Sequence, residues 1–362
     1  MSFKSPARFS LIFIAVLAFA IECFAGSLAV WQPTTGAVPL VIYRADGESA
    51  IDSAKRYLKH FNASEELVEI SEKKLEIPLT GFSDLVRQTD NPLMLVSTSE
   101  PQQFRGSKNG KSWFKQLSDL GSEVYVLPVV HDLGLTKAQA AEYRDLLTQT
   151  FDGVLALGGA DVDPSLYGDK NRQAEGTLKF RDVSELKLIK SFLEMKNNAV
   201  FGICRGAQLT AVALGYKLHQ DIGIETSNSH YHIANDHPIT WVESAKSILK
   251  NALASFTSDF PSQHHQAIIA ESNSDGELVL VAKHQPTPDV TPISEAFEFK
   301  NRIGFLTQWH PERDKTEKGF VVMNLMVQQA RNAMLLRASE ARFTDSLSLA
   351  PNSKSCNRVV GE

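Results

Sequence analysis

The sequence predicts an α/β protein with three layers, in which a mostly parallel, doubly wound sheet lies between helices. From Pro92 onward, short apolar runs alternate with segments of helical periodicity, which is typical of successive strand–helix units. A G-x-C-x-G pattern around Cys204 also joins an apolar run to a helical segment. Such a sharp strand-to-helix junction belongs at the edge of a parallel sheet.

The N-terminus, residues 1–25, has the pattern of an export signal. Lys4 and Arg8 precede an apolar run over 9–21, and small residues stand just before Gly26. The run is shorter than a bilayer-spanning helix, which disfavours an uncleaved anchor. We therefore expect a periplasmic or secreted protein that has no membrane contact after the signal is removed.

Residues 26–91 form a small N-terminal extension without a motif of recognisable chemistry. We expect a strand at 38–43, an amphipathic helix from Ser49 to about His60 and a short helix at 82–86. The sequence assigns this segment no role.

The main domain is predicted to span residues 92–341. Its expected strands are 93–96, 123–130, 153–157, 199–203, 277–282 and 303–306, and its expected helices are 113–120, 136–147, 182–192, 206–214 and 318–338. Asp182 to Glu185 is interpreted as a capping box, which assigns both acids to a helix terminus. Residues 342–362 are rich in polar side chains, and we expect a disordered tail.

Composition excludes one class of partner. The net charge of −5 over 362 residues disfavours a nucleic-acid-binding surface. Removal of the export signal would leave two cysteines, Cys204 and Cys356. We interpret both as free thiols, because a disulfide would silence Cys204.

Cys204 is the candidate nucleophile. Gly202 and Gly206 flank it at positions where a side chain would collide with the neighbouring strand or helix as the chain turns. The start of the following helix offers unpaired N–H groups and the positive end of the helix dipole, which favour a thiolate. The alternative, a buried structural cysteine, does not explain the paired glycines.

His310 is the candidate general base. It follows an apolar strand directly, which places it at the same sheet edge as Cys204, and Glu312 can accept the second imidazole proton. Gly158 and Gly159 end another strand, where open α/β sheets bind ligands.

Other histidines raise the question of a metal site. They are His230, His232, His237, His264 and His265. A His-x-His pair in a loop is a weak match to the spacings of zinc ligands. We interpret these residues as a polar loop lining the pocket, and we expect no metal ion.

Four motifs together resemble the class I glutamine amidotransferase superfamily, and most closely its γ-glutamyl-γ-aminobutyrate hydrolase branch. They are GICRGAQ at 202–208, GGADVDPSLYGD at 158–169, HHQ at 264–266 and QWHPE at 308–312. The resemblance covers about residues 92–341 and implies a flavodoxin-like fold.

The resemblance also implies residue roles. Cys204 would be the nucleophile, His310 the general acid and base, and Glu312 the partner that orients it. Backbone N–H groups at Gly159 and Arg205 would form an oxyanion hole. Four side chains would hold the γ-glutamyl group: Gln208, His264, His265 and Gln266.

The implied reaction is hydrolysis of a small-molecule γ-glutamyl amide through a glutamyl thioester, without a metal or an organic cofactor. Three alternatives stay open: a folyl-polyglutamate hydrolase, which is another exported branch, a glutaminase subunit of an amidotransferase, and a non-catalytic binding protein. Intact Cys204, His310 and Glu312 count against the last, and no recognisable synthetase module supports the second. A homodimer also stays open.

Overall fold

The structure is a computed structural model. It describes residues 26–31, 38–63, 82–85, 87, 89–98, 113–128, 131–228, 236–243, 246–257 and 259–348. The predicted export signal, His230, His232 and Cys356 lie outside these residues. Within the described ranges, no helix combines the length and the apolar character that crossing a membrane requires.

Strands and helices alternate through most of the described chain. The strands are β1 (Ser27–Trp31), β2 (Leu40–Arg44), β3 (Phe82–Asp84), β4 (Leu93–Thr98), β5 (Glu123–Pro128), β6 (Gly153–Ala156), β7 (Ala199–Ile203), β8 (Lys217–His219), β9 (Thr240–Trp241), β10 (Ala267–Ile269), β11 (Leu278–His284), β12 (Ile293–Phe299) and β13 (Gly304–Thr307). The helices are α1 (Ala50–Ala63), α2 (Trp113–Asp119), α3 (Lys137–Thr150), α4 (Lys179–Glu194), α5 (Arg205–Ala213), α6 (Ile222–Glu225), α7 (Ile248–Leu253) and α8 (Glu317–Ser348), with 3₁₀ turns at Pro164–Tyr167, Ala270–Asn273 and Pro311–Arg313.

One mixed sheet organises the fold. In the described residues it has eleven strands in the order β3-β1-β2-β5-β4-β6-β7-β13-β12-β11-β9. The pairs from β2 through β13 are parallel, and those at both edges are antiparallel. The central strands β4, β6, β7 and β13 are buried along their whole length, as expected where helices cover both faces.

Two apolar clusters fill the spaces on either side of the sheet. Helices α1, α2, α7 and α8 pack on one face. Helices α3, α4 and α5 pack on the other. Strand β7 contributes to both, since Phe201 belongs to the first cluster and Val200 to the second, according to the two-residue period of a strand. The predicted three-layer α/β fold is confirmed.

The N-terminal extension joins this sheet. Strand β2 pairs in parallel with β5 where Leu40 meets Val126, and β1 pairs with β2. The helix predicted at 82–86 was wrong, because Phe82–Asp84 forms β3 and pairs with β1. In so short a segment, pairing with the neighbouring strand β1 outweighs the local preference for a helix. Strands β1, β2 and β3 of this extension therefore belong to the sheet that holds Cys204.

Three other predictions need correction. Helix α4 begins at Lys179, so Asp182 and Glu185 lie inside it and are buried, and no capping box forms there. Strand β12 was missed, because Glu295 interrupts its apolar pattern while being fully buried. Helix α8 continues to Ser348, inside the segment 342–362 that was expected to be disordered. Residues 349–362 lie outside the described chain.

The turn from β7 into α5 requires the two glycines that flank Cys204. A Cβ at Gly206 would lie 2.0 Å from the backbone oxygen of Ala156 in β6. A Cβ at Gly202 would lie 2.7 Å from the backbone of Ala207. Backbone packs directly on backbone here, so the start of α5 is held against the ends of two strands.

We expect Gly206→Ala to lower the free energy of unfolding by about 3 kcal/mol or more, because two backbones must separate to admit the methyl group. Gly47→Ala is the matched control: it has no atom within 4 Å of the new Cβ, but its φ is +72°. The control should cost only about 1–2 kcal/mol of left-handed strain. Urea denaturation measures both, and equal losses would contradict the close approach at Gly206.

Candidate active site

Cys204 lies between β7 and α5 in a strained backbone conformation. Its φ of 52° and ψ of −116° make it the one non-glycine residue at positive φ among those described. Its N–H donates to the Thr307 carbonyl at 2.8 Å, and its carbonyl accepts from Gln208 N at 3.1 Å. The side chain is 5% exposed, and its sulfur lies 3.7 Å from the Gln263 carbonyl oxygen. The elbow thus fixes the sulfur inside the site.

His310 and Glu312 follow β13, which is the direct neighbour of β7. The 3₁₀ turn Pro311–Arg313 folds the chain back, and His310 Nδ1 donates to Glu312 Oε1 at 2.6 Å. Burial lowers the pKa of His310, but interactions with Cys204 and Glu312 outweigh burial and raise it to about 10. Because Nδ1 is bound to Glu312, the buried Nε2 is the nitrogen left for proton transfer with Cys204.

The residues that follow β6 contact both Cys204 and His310. A Cβ at Gly158 would lie 3.2 Å from Cε1 of His310 and 3.6 Å from Cβ of Cys204. The Gly158 backbone therefore lies against both side chains. The carboxyl ends of β6, β7 and β13 meet at one edge of the sheet, as the sequence predicted, and this edge is where open α/β sheets bind ligands.

A buried ionic network lies behind the elbow. The Arg205 guanidinium donates to Asp182 and, at 2.5 Å, to Glu185, which also accepts from Ser97 Oγ at 2.7 Å. Arg181 Nη2 donates to the Gly158 carbonyl at 3.4 Å. Burial would raise the pKa of Glu185, but the neighbouring guanidinium charges lower it. The network therefore connects the residue after the cysteine with the glycine pair that ends β6.

The sequence carried a signal for these two acids that the capping interpretation missed. Asp182 and Glu185 stand at helical spacing with Ile189 and Phe192, which belong to the buried face of α4. Acidic residues on the apolar face of a helix need buried cationic partners, and here these are arginines.

Two of the predicted substrate-binding residues are joined within the protein. Gln208 Nε2 donates to the Gln266 carbonyl at 2.9 Å and to Gln308 Oε1 at 3.2 Å. Gln266 Oε1 accepts from Val162 N at 2.9 Å. These amides therefore connect α5, the end of β13 and the loop after β6.

The two adjacent histidines have different surroundings. His265 Nε2 lies 2.8 Å from Asp161, and its Nδ1 lies 3.4 Å from Asp221. The hydrogen bond to Asp161 is the largest influence on His265 and, with the charges of both acids, raises its pKa to about 9 against burial. His264 is buried, with Nδ1 3.0 Å from the Gln266 carbonyl and Nε2 3.5 Å from Glu295. His265 is therefore cationic at neutral pH.

The fold and the comparisons define a protein of the class I glutamine amidotransferase-like superfamily. Residues 107–312, more than half of the chain, match the Peptidase C26 family. The chain belongs to that family.

Similar proteins include a Lactococcus lactis subsp. lactis protein named "Putative glutamine amidotransferase-like protein YvdE". It is 32% identical over 206 residues, which are 56% of this chain and 79% of that protein. The γ-glutamyl-γ-aminobutyrate hydrolase of Escherichia coli O157:H7 is 33% identical over 106 residues, 28% of this chain and 41% of that protein. Among solved structures, the glutaminase domain of Trypanosoma brucei CTPS is 16% identical to this chain. The match covers 66% of this chain and 93% of that domain, with a TM-score of 0.46.

The strained backbone at Cys204 gives a test of the elbow. Since glycine adopts positive φ without steric cost, Cys204→Gly should be more stable than Cys204→Ala by about 1 kcal/mol. Ala211→Gly is the control, because Ala211 lies within the regular helix α5. It should be less stable than the wild type by about 1 kcal/mol. Thermal or urea unfolding measures all of them, and the same sign at both positions would show that Cys204 is unstrained.

Proposed function

We propose that this protein is a cysteine-dependent hydrolase of γ-glutamyl amide bonds. The observation that supports this most is the placing of Cys204, His310 and Glu312 at the ends of neighbouring strands, with Nδ1 of His310 bound to the carboxylate. A cysteine, a histidine and an acid in this order of contact form the general pattern of an activated nucleophile. The family contains hydrolases and amidotransferase-like relatives, which fits the same chemistry.

In the proposed mechanism, the Cys204 thiolate attacks the γ-carbonyl carbon and forms a tetrahedral intermediate. Backbone N–H groups of Gly159 and Arg205 stabilise its oxyanion. His310 then donates its Nε2 proton to the leaving amine, the C–N bond breaks and a glutamyl thioester remains. His310 next takes a proton from water, which attacks the thioester. Glutamate and the Cys204 thiolate then separate, and His310 keeps the proton taken from water. The starting pair of thiolate and protonated imidazole is thereby restored.

We propose that Gln208, His264, His265 and Gln266 act on the glutamyl group in two ways. The amides and His264 are buried and bonded within the protein, which fits them to hold the loop after β6 in place. His265 is partly exposed and cationic, and its two ring nitrogens face Asp161 and Asp221, which fits it to orient these carboxylates near the sheet edge. We also propose export through residues 1–25, on the sequence pattern alone.

A glutaminase subunit is the second candidate, because several relatives carry the name of glutamine amidotransferases. Both candidates break a γ-glutamyl C–N bond, and they differ in the leaving group and in the need for a synthetase.

The direct test measures release of glutamate from γ-glutamyl amines, glutamine and folyl-polyglutamate. Cys204→Ala should reduce the rate by about 10³-fold or more, because no other group supplies the nucleophile. Cys356→Ala, a second thiol change, should keep wild-type activity. Acid quenching during turnover should show a glutamyl mass on the peptide that contains Cys204. Wild-type turnover by Cys204→Ala would overturn the proposal, and activity on glutamine alone, dependent on an added synthetase, would favour the second candidate.

The pKa of His310 predicts the alkaline limb of the pH profile. Because His310 keeps its proton up to about pH 10, kcat/KM should fall as the pH rises through that value. Glu312→Gln removes a charge that raises this pKa, so the limb should move to lower pH. The rate should also fall, although less than in His310→Ala. Circular dichroism at each pH controls for unfolding, and an unshifted limb in a folded Glu312→Gln protein would remove Glu312 from the proposed triad.

A further inference from the structure

Three buried side chains from distant parts of the chain meet beside the proposed site. His237 precedes β9, His264 precedes β10, and Glu295 lies in the middle of β12. One potential ligand atom from each lies within 4.8 Å of the others, and all three residues are buried. Among the described residues, no other group of three or more potential metal ligands has this spacing.

The hydrogen bonds of the two imidazoles fix which nitrogen faces the carboxylate. His264 Nδ1 lies 3.0 Å from the Gln266 carbonyl, and His237 Nδ1 lies 3.2 Å from the Pro238 carbonyl. A carbonyl can only accept, so each Nδ1 carries the proton. In a neutral imidazole the lone pair then sits on Nε2. This is the arrangement found in metal-binding histidines, whose second nitrogen donates to a carbonyl or a carboxylate.

Both Nε2 atoms face the same carboxylate oxygen. They lie 3.4 Å (His237) and 3.5 Å (His264) from Oε1 of Glu295. Direct charge-assisted hydrogen bonds are about 2.7–2.9 Å long, so these separations are too great for strong ones. In a tetrahedral zinc site with bonds of about 2.0–2.1 Å, two ligand atoms are about 3.3–3.4 Å apart. The observed separations match this edge length.

We propose that His237, His264 and Glu295 bind a divalent transition-metal ion, with Zn²⁺ as the best fit to two imidazoles and one carboxylate. The sequence indicated no metal, because its argument rested on ligands that are close together in the chain. Here the ligands are 27 and 31 residues apart, which no spacing motif describes. The fold alone brings them together.

The position of the cluster indicates a bracing role. His237 exchanges two backbone hydrogen bonds with Phe260, and the carbonyl of Gln263, next to His264, contacts the Cys204 sulfur. The Glu295 carbonyl accepts from Gln308 N at 2.8 Å. An ion here would tie the loop over the cysteine to β12, and it would take no part in the acyl transfer. The inference therefore stands independently of the proposed function.

The test uses the full chain without an affinity tag, carrying Cys204→Ala and with its other thiols alkylated, so that no sulfur binds metal. The protein is stripped with a chelator and then titrated with Zn²⁺ against a chromophoric chelator, and separately with Co²⁺ by visible absorption. We expect one equivalent of either ion, a tetrahedral Co²⁺ spectrum and a melting temperature that rises with Zn²⁺.

Asparagine substitutions separate the metal ligands from the hydrogen bonds, because the asparagine amide can replace the Nδ1 donor and offers nothing in place of Nε2. His237→Asn and His264→Asn should each lower the affinity for Zn²⁺ at least about tenfold. His131→Asn is the matched control: His131 is also buried, with Nδ1 3.3 Å from Ser184 Oγ, and it lies outside the cluster. It should bind Zn²⁺ as the parent does.

Glu295→Gln should also weaken binding, and the asparagine variants decide the matter if it fails to fold. The proposal is overturned if the folded parent protein binds no Zn²⁺ or Co²⁺ stoichiometrically, which would leave protons shared by the three groups. It is also overturned if His237→Asn and His264→Asn bind as tightly as His131→Asn, which would place the ion elsewhere.

Discussion

The close approach of α5 to the ends of β6 and β7 is the constraint on which the site depends. Gly206 sits against the Ala156 carbonyl, and this contact fixes where α5 starts. The chain must then reverse within a single residue, which forces Cys204 to positive φ. Strain of this kind costs about 1–3 kcal/mol and persists only where the surroundings hold it. Here the backbone hydrogen bond to Thr307 and the packing of α5 hold it.

The buried ions of α4 and α5 serve the same geometry. Arg181 and Arg205 balance Asp182 and Glu185, so the cluster is neutral although every member is almost fully buried. Burying such charges is costly, and removing one partner from a buried pair typically costs about 3–5 kcal/mol. The cluster therefore adds little net stability over an apolar core. Its effect is positional, because guanidinium groups have fixed donor directions and one of them reaches Gly158.

The sequence predicted what local patterns determine. Short apolar runs predicted the central strands, and the glycine-flanked cysteine predicted the sharp turn from β7 into α5. Both features depend on residues that are neighbours in the chain. The sequence-based predictions failed where a residue distant in the chain determines the local structure or the burial of a side chain. Phe82–Asp84 is a strand only because β1 is beside it, and Asp182 is buried only because Arg205 is available. Strand β12 was missed for the same reason, since the environment of Glu295 comes from residues far away in the sequence.

The histidines show most clearly why residue type alone cannot assign chemistry. Burial dominates at His131 and lowers its pKa to about 4, so that this ring is neutral. At His265 two partly buried aspartates outweigh burial, and at His310 the thiol and Glu312 do so. His237 and His264 share a carboxylate with fixed Nδ1–H donors, which suits an ion in place of a proton. The imidazole side chain thus meets three different environments around this edge of the sheet. The second group bonded to each ring decides which chemistry the ring can perform, and that group is known only once the chain has folded.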